Sequence, residues 1–298
     1  MPRTVTVGLD GSPESLAAAE WAAREAELRD LPLHLVYAWD WQPYIQPVPS
    51  DTAHRQWGGR VLREATERLH DRHPRLDVTS EQIQRPPVTA LLTASAEADP
   101  LVIGSRRLSA VAGFLAGSVG LAVTAHTDRP VVLVRSGASA EDEHQTDADG
   151  RPSTVTPYRD VVLGLDLERP SDAVIAFAFE AAARRATGLR VVHGWSLPPG
   201  SAHGLAVDQA LDDELARQET NAVKEVLAPW REKFPGVEVV DQIAVGNTGA
   251  HLVDAATDAS LVVVGRRVRH APIGARIGHV AHAVLHHATA PVAVVPHD

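Results

Sequence analysis

The sequence predicts an α/β protein of two tandem halves, each a doubly wound, Rossmann-like parallel sheet of five strands with helices on both faces. One observation is the alternation of short β-branched segments with segments of helical periodicity, which is typical of parallel sheets. The other is an internal repeat. Val7–Asp10 matches Leu163–Asp166, and Leu33–Trp39 matches Leu189–Trp195 at the same spacing. The two halves therefore encode one fold twice.

The elements of the first half follow from local patterns in chain order. An apolar strand spans Val5 to Leu9, and Ser12-Pro13-Glu14 supplies an N-cap, a proline at the first helical position and an acid in the first turn. A second strand covers Leu33–Trp39. Further helices are predicted at 52–70, 88–97 and 118–126, and further strands at 76–84, 101–103 and 130–134. The second half repeats this order.

The interval between the halves differs from both. Residues 137–157 are rich in Ala, Ser, Asp and Glu, show no apolar periodicity and include the acidic run Glu141–Glu143. This composition is typical of a flexible, solvated linker. The sequence therefore predicts one domain at 1–136, an acidic flexible linker at 137–157 and a second domain at 158–298.

Composition excludes several classes of function. The 298-residue chain has a formal net charge of −10, so we expect no nucleic acid partner and no binding to a membrane surface. Cysteine is absent, which excludes disulfides, thiolate catalysis and zinc sites built on sulfur. No pattern typical of a signal peptide follows Met1, and no apolar run is long enough to span a bilayer. We expect a cytoplasmic protein.

A glycine- and arginine-containing segment is the candidate ligand site of each half. The first half has Gly104-Ser105-Arg106-Arg107 followed by Gly117-Ser118-Val119, and the second has Gly265-Arg266-Arg267 followed by Gly278-His279-Val280. Glycine permits close approach of a ligand, and the free amides of a helix start attract anions. The arginines are candidate donors to phosphate oxygens. Strand-to-helix turns and solvated surface arginines remain the alternatives.

Together with the strand end Gly8-Leu9-Asp10-Gly11-Ser12, these loops resemble the universal stress protein (UspA) family, and the tandem arrangement is similar to its two-domain members in actinobacteria. In the ATP-binding branch, the late loop has glycine, two residues, glycine, nine residues, and glycine with serine or threonine. The first half departs from this pattern at Arg107, and the second half departs at Val268 and His279. The first half is therefore expected to be the better site.

The resemblance implies a fold similar to adenine-nucleotide alpha-hydrolases and a role for each matching position. Gly104 and Gly265 begin the segment along ribose and phosphates, and Gly117–Val119 or Gly278–Val280 forms the amide nest. Residues matching the base contacts are Gly8, Asp10 and Ala38 in the first half, and Gly164, Asp166 and Gly194 in the second. The resemblance also implies that the last strands, at 130–134 and 291–295, pair across a pseudo-two-fold axis. For the two aspartates, a local Asx-turn remains an alternative.

The implied function is binding of ATP or a related adenine nucleotide, with or without Mg²⁺, by a stress sensor that acts through conformation or a partner. That partner is another protein or a second copy in a homodimer. The residues show no nucleophile with its base, no Walker lysine and no acidic pair repeated beside the glycine loops. We therefore predict no catalytic residues and, at most, weak ATP hydrolysis. A nucleotide-free scaffold and a slow ATPase remain the alternatives.

A histidine-rich helical face lies near the end of the chain. His279, His282 and His286 have the spacing i, i+3 and i+7. Such a face suits a transition metal, a polar helix surface or a subunit contact. Because no carboxylate partner lies nearby in sequence, we favour the polar surface or subunit contact and predict no metal site.

Overall fold

The computed structural model describes residues 3–40, 51–105, 118–196, 209–268 and 277–298. The first half contains β1 (Thr4–Leu9), α1 (Pro13–Arg29), β2 (Leu33–Trp39), α2 (Asp51–Arg72), β3 (Val78–Gln84), α3 (Pro87–Ser95), β4 (Ala98–Ser105), α4 (Ser118–His126) and β5 (Val131–Arg135). The second contains β6 (Val161–Gly164), α5 (Asp172–Arg185), β7 (Leu189–Trp195), α6 (Gln209–Lys233), β8 (Val239–Val245), α7 (Thr248–Ala255), β9 (Leu261–Arg267), α8 (His279–His287) and β10 (Val292–His297).

The start of α1 has the predicted cap. The side chain of Ser12 accepts a hydrogen bond from the backbone N–H of Ser15, and Pro13 is the first helical residue. The helix ends at Asp30, whose backbone is left-handed with φ of 54°. Ala186 ends α5 in the same conformation, with φ of 48°. Matching helix ends therefore accompany the sequence repeat.

The ten strands of the described residues form a single sheet in the order β3-β2-β1-β4-β5-β10-β9-β6-β7-β8. Pairing is parallel within each half. Only the central pair of this sheet, β5 with β10, is antiparallel, with Val131 opposite Val294 and Leu133 opposite Val292. This symmetrical order confirms the doubly wound halves and the pseudo-two-fold axis, and it joins the two predicted sheets edge to edge.

Each face of the sheet has one apolar core that continues through both halves. On one face, α1, α2, α5 and α6 pack with buried residues that include Trp21, Leu62, Phe179 and Leu227. On the other face, α3, α4, α7 and α8 contribute Leu91, Val123, Leu252 and Val284. Because parallel strands are covered on both sides, their central residues are apolar without alternation. The two halves therefore share their cores.

The segment between the halves is anchored at Glu143 and His144, which are buried and not solvated as the composition predicts. Glu143 is 3% exposed and ends a turn of 3₁₀-helix that starts at Glu141. Its carboxylate accepts a hydrogen bond from Arg24 of α1, and its carbonyl accepts one from the backbone N–H of Arg159. The buried ring of His144 packs on Tyr158 at a centroid distance of 4.0 Å. These contacts tie the segment to both halves.

A buried ion cluster joins α1 to α5 beside this segment. The Glu25 carboxylate accepts hydrogen bonds from Arg29 Nε at 2.5 Å and from an Arg185 guanidinium nitrogen at 2.6 Å. Burial opposes ionisation of Glu25, but the charges of Arg185 and Arg29 outweigh it and lower its pKa. Burial raises the pKa of Glu143 in spite of the nearby Arg24. The contact between the halves is thus charged as well as apolar.

Candidate functional site

The carboxyl ends of the strands in the second half open into a cleft of about 1270 Å³. Doubly wound sheets bind their ligands at this edge, where loops and helix starts converge. The cleft brings together eight residues that the sequence analysis places at the ligand: Gly164, Asp166, Gly194, Gly265, Arg267, Gly278, His279 and Val280. Three separate strand ends and one helix start therefore face the same space.

Helix α8 begins directly at this cleft. Its N-cap is Gly278, and no side chain of the described residues makes a capping hydrogen bond there. The N–H of His282 donates to the Gly278 carbonyl at 2.9 Å, so the amides of the three residues between them precede the helical ladder. Free amides and the partial positive charge of the helix start favour a phosphate or carboxylate. Arg267 and His279 also line the cleft and add side-chain donors.

Two strand glycines are required by the close approach of α7. A Cβ atom on Gly194 would lie 2.5 Å from the hydroxyl oxygen of Thr248, and that hydroxyl donates to the Gly194 carbonyl. A Cβ atom on Gly164 would lie 2.8 Å from a methyl group of Leu252. These glycines therefore have a packing role, whatever the cleft binds. The backbone carbonyl of Gly194, at the position expected to contact the adenine base, therefore already accepts one hydrogen bond from Thr248.

The two aspartates both make the local turn that the sequence leaves open. Asp10 accepts the backbone N–H of Ser12 at 2.9 Å, and Asp166 accepts that of Glu168 at 3.0 Å. Each bond uses Oδ1 and closes an Asx-turn. Asp166 is exposed and lines the cleft. The turn therefore holds a carboxylate at the place where a ligand contact is expected.

Arg266 faces away from the cleft, and its prediction as a ligand contact is wrong. The side chain is 3% exposed and donates to the carbonyls of Ala125 and Thr127 at the end of α4, in the other half. Successive residues of a strand point to opposite faces, and here Arg267 points to the cleft while Arg266 points away from it. Ser105, the matching residue of β4, is buried as well.

Two histidines of the cleft were missed by the sequence analysis. The ring of His193 bonds the Leu165 carbonyl through Nδ1 at 3.0 Å and the Glu219 carboxylate through Nε2 at 3.2 Å. His297 packs over Gly265, where an added Cβ would lie 2.9 Å from its Nε2. Both line the cleft. The position of His193 directly before Gly194, near the end of β7, is a sequence signal that could have found it, whereas no sequence signal brings His297 back to Gly265.

The first half places its matching residues at the same sheet edge, with different packing. The start of α1 closes on Gly104, where an added Cβ would lie 2.5 Å from the backbone carbonyl carbon of Glu14. Tyr37 replaces His193, and burial together with the Asp10 carboxylate raises its pKa. Gly8 contacts Leu91 as Gly164 contacts Leu252. Ala38 is the last residue but one of β2, and Ser118 and Val119 begin α4.

Part of the first site cannot be placed. Arg106, Arg107 and Gly117 lie outside the described residues. Among the residues that are described, no group of three or more histidines and acids is arranged to hold a metal ion. Nor does any helix among them combine the length and apolar character needed to cross a bilayer.

The fold and the cleft define an α/β protein of the class that takes ligands at the carboxyl edge of a doubly wound sheet. The model of the universal stress protein family matches residues 1–135 and 157–296. The chain therefore belongs to the universal stress protein family and carries its domain twice.

Relatives share this tandem arrangement. Universal stress protein Rv2005c of Mycobacterium tuberculosis is 32% identical, over 97% of this chain and 96% of its own length. A solved universal stress protein from Archaeoglobus fulgidus has the same fold, with a TM-score of 0.69, 15% identity and 98% of each chain covered. Another solved universal stress protein, described in complex with cAMP, is 29% identical over 45% of this chain and 98% of its own, with a TM-score of 0.35.

Proposed function

We propose that the cleft of the second half binds an adenine nucleotide, ATP or a close relative. The observation that carries this proposal is the convergence of the open start of α8, Arg267 and the glycine ends of β6 and β9 on one space. Anions bind where free amides and a guanidinium point together. The cleft volume of about 1270 Å³ is ample, since small-molecule sites typically span roughly 300–1,000 Å³.

The lining residues suggest a division of the cleft into a phosphate end and a base end. The amides of α8, with Arg267 and His279, supply donors for phosphate oxygens, and Asp166 and Gly194 lie at the end proposed for the base. A magnesium ion accompanying the nucleotide would be held mainly by phosphate oxygens and water, because the carboxylates of Asp166 and Glu168 belong to the end proposed for the base. We propose the same arrangement in the first half, with Arg106, Arg107 and Gly117 completing it.

The proposed role is sensing, in which occupancy changes the conformation offered to a protein partner. Strand β9 supports this role because its successive residues contact either the cleft or the other half. Gly265 and Arg267 line the cleft, while Arg266 between them crosses to the end of α4. A ligand that displaces the end of β9 would therefore displace a contact with the other half. The start of that same helix, Ser118, belongs to the proposed site of the first half.

A charge placed at the start of α8 tests the proposal. No described atom lies within 4 Å of a Cβ at Gly278, so Gly278→Glu adds an acid there without a steric clash. We expect at least a tenfold loss of ATP affinity at one site by isothermal titration calorimetry, with and without magnesium. Gly236→Glu is the matched control, because Gly236 is equally unhindered and its variant has the same net charge. Equal affinity in both variants would contradict binding at α8.

Two further measurements separate the alternatives. Denaturing freshly purified protein and separating the released small molecules by chromatography counts the adenine nucleotide per chain. No nucleotide released, together with no heat on titrating ATP and magnesium, would replace the sensor with a nucleotide-free scaffold. Steady conversion of ATP to ADP, lost in Gly278→Glu, would instead support a slow ATPase. Comparing Gly117→Glu with Gly278→Glu tests the expectation that the first half binds more tightly.

A further inference from the structure

Two histidines of α8 place their ring nitrogens together outside the cleft lining. Nε2 of His282 lies 3.1 Å from Nε2 of His286, and their ring centroids are 4.1 Å apart. The residues are four apart, so they lie on one side of the helix, one turn from each other. The two nitrogens share a hydrogen bond, in which one ring donates to the other. Two imidazole nitrogens this close are also ligands that one borderline transition-metal ion can share in place of that proton.

Against the expectation from the sequence, we propose that His282 and His286 form a two-histidine site for a divalent transition-metal ion, Cu²⁺, Ni²⁺ or Zn²⁺. With metal–nitrogen bonds of roughly 2.0–2.1 Å, an ion shared by nitrogens 3.1 Å apart subtends an angle of about 98°. That angle lies between the octahedral and tetrahedral values, so one ion can reach both nitrogens at this separation. Water completes the coordination. A pair of imidazoles without a carboxylate disfavours Mg²⁺ and Ca²⁺, which prefer oxygen ligands.

The helix holds this pair in place. Ala281, Val284 and Leu285 are buried on the same helix and fix its position against the sheet. His286 is 8% exposed, whereas His282 is exposed and leaves the site open to solvent.

The charges that face His286 limit the affinity without changing the geometry. Arg135 of β5 and His287 both act on this ring, and each disfavours an added positive charge. The His287 ring centroid lies 6.4 Å from that of His286, with the ring planes at 54°. It is therefore the natural control, being a neighbouring exposed histidine that lacks the short nitrogen–nitrogen distance to His286.

Copper titration of the untagged full-length protein tests the site. Cu²⁺ is added alone, as the chloride, to wild type, His282→Ala and His287→Ala, and binding is followed by calorimetry and by electron paramagnetic resonance. We expect His282→Ala to weaken the tightest binding by at least tenfold and to remove one of two coupled equatorial nitrogens. His287→Ala should change the affinity less than twofold. Circular dichroism checks that both variants fold.

Three results would overturn the proposal. They are unchanged tight binding in His282→Ala, equal losses in the two variants, and a wild-type signal from a single nitrogen. Because His282 and His286 lie outside the cleft lining and no nucleotide is added, the outcome is independent of the function proposed for the cleft.

Discussion

Replacing the buried Arg185 with methionine should destabilise the protein far more than the same replacement at the neighbouring, more exposed Arg184. The Arg185 side chain is 1% exposed, bonds Glu25 at 2.6 Å and lies over the Tyr158 ring. Removing one partner of a buried ion pair costs about 3–5 kcal/mol. Because Arg29 still pairs with Glu25 at 2.5 Å, we expect Arg185→Met to cost about 3 kcal/mol, at the lower end of that range.

Arg184→Met provides the matched control. Arg184 pairs with Glu180 at 2.8 Å, but the two side chains are 29% and 42% exposed. Exposed pairs contribute about 0–1 kcal/mol, so this variant should lose less than about 1 kcal/mol. Urea denaturation followed by circular dichroism gives both free energies of unfolding. A cost for Arg185→Met within about 1 kcal/mol of the control would refute the claim that the buried cluster holds the halves together.

Three other predictions follow from the same contacts. Gly104→Ala should cost about 1–3 kcal/mol in urea denaturation, because its Cβ meets helix backbone, whereas Gly265→Ala meets the side chains of His297 and Val174 and should cost less. Arg266→Gln should lower stability by about 1.5–3 kcal/mol and change nucleotide affinity less than Arg267→Gln, which should weaken binding with a smaller loss of stability; paired denaturation and calorimetry measure both. The folded-state pKa of Glu143 is raised above 4.5, so the folded protein holds this proton to higher pH than the unfolded chain. The free energy of unfolding should therefore fall as pH rises above 4.5. Denaturation at several pH values checks this fall, which Glu143→Gln should flatten.

The architecture was predictable because it depends on patterns that repeat. Val7–Asp10 and Leu163–Asp166 mark the first strand of each half, and Ser12-Pro13 marks the helix that follows. The pairing of the last strands came only from the family resemblance, and the antiparallel contact of β5 with β10 confirms it. Local periodicity contains no information about which edges meet, so this step needed a known relative.

The side chains that join the two halves were not predictable from the same patterns. Glu143 belongs to an acidic, loop-like run, and only the three-dimensional contact with Arg24 explains its burial. Arg266 was assigned to the ligand because it stands beside Arg267. Strand alternation rules out a shared direction for the two, but the carbonyls that Arg266 reaches belong to residues 125 and 127, far away in sequence. Long-range partners of this kind have no local signature.

The antiparallel join of β5 and β10 also has an evolutionary consequence. In a dimer of identical chains, every substitution alters both sites at once, so the two sites must stay alike. Here the symmetry axis lies within one polypeptide, and each site mutates alone. Tyr37 against His193, and Ser118 against His279, show how far the copies have already separated. One gene can therefore keep one pocket unchanged while the other acquires a different ligand.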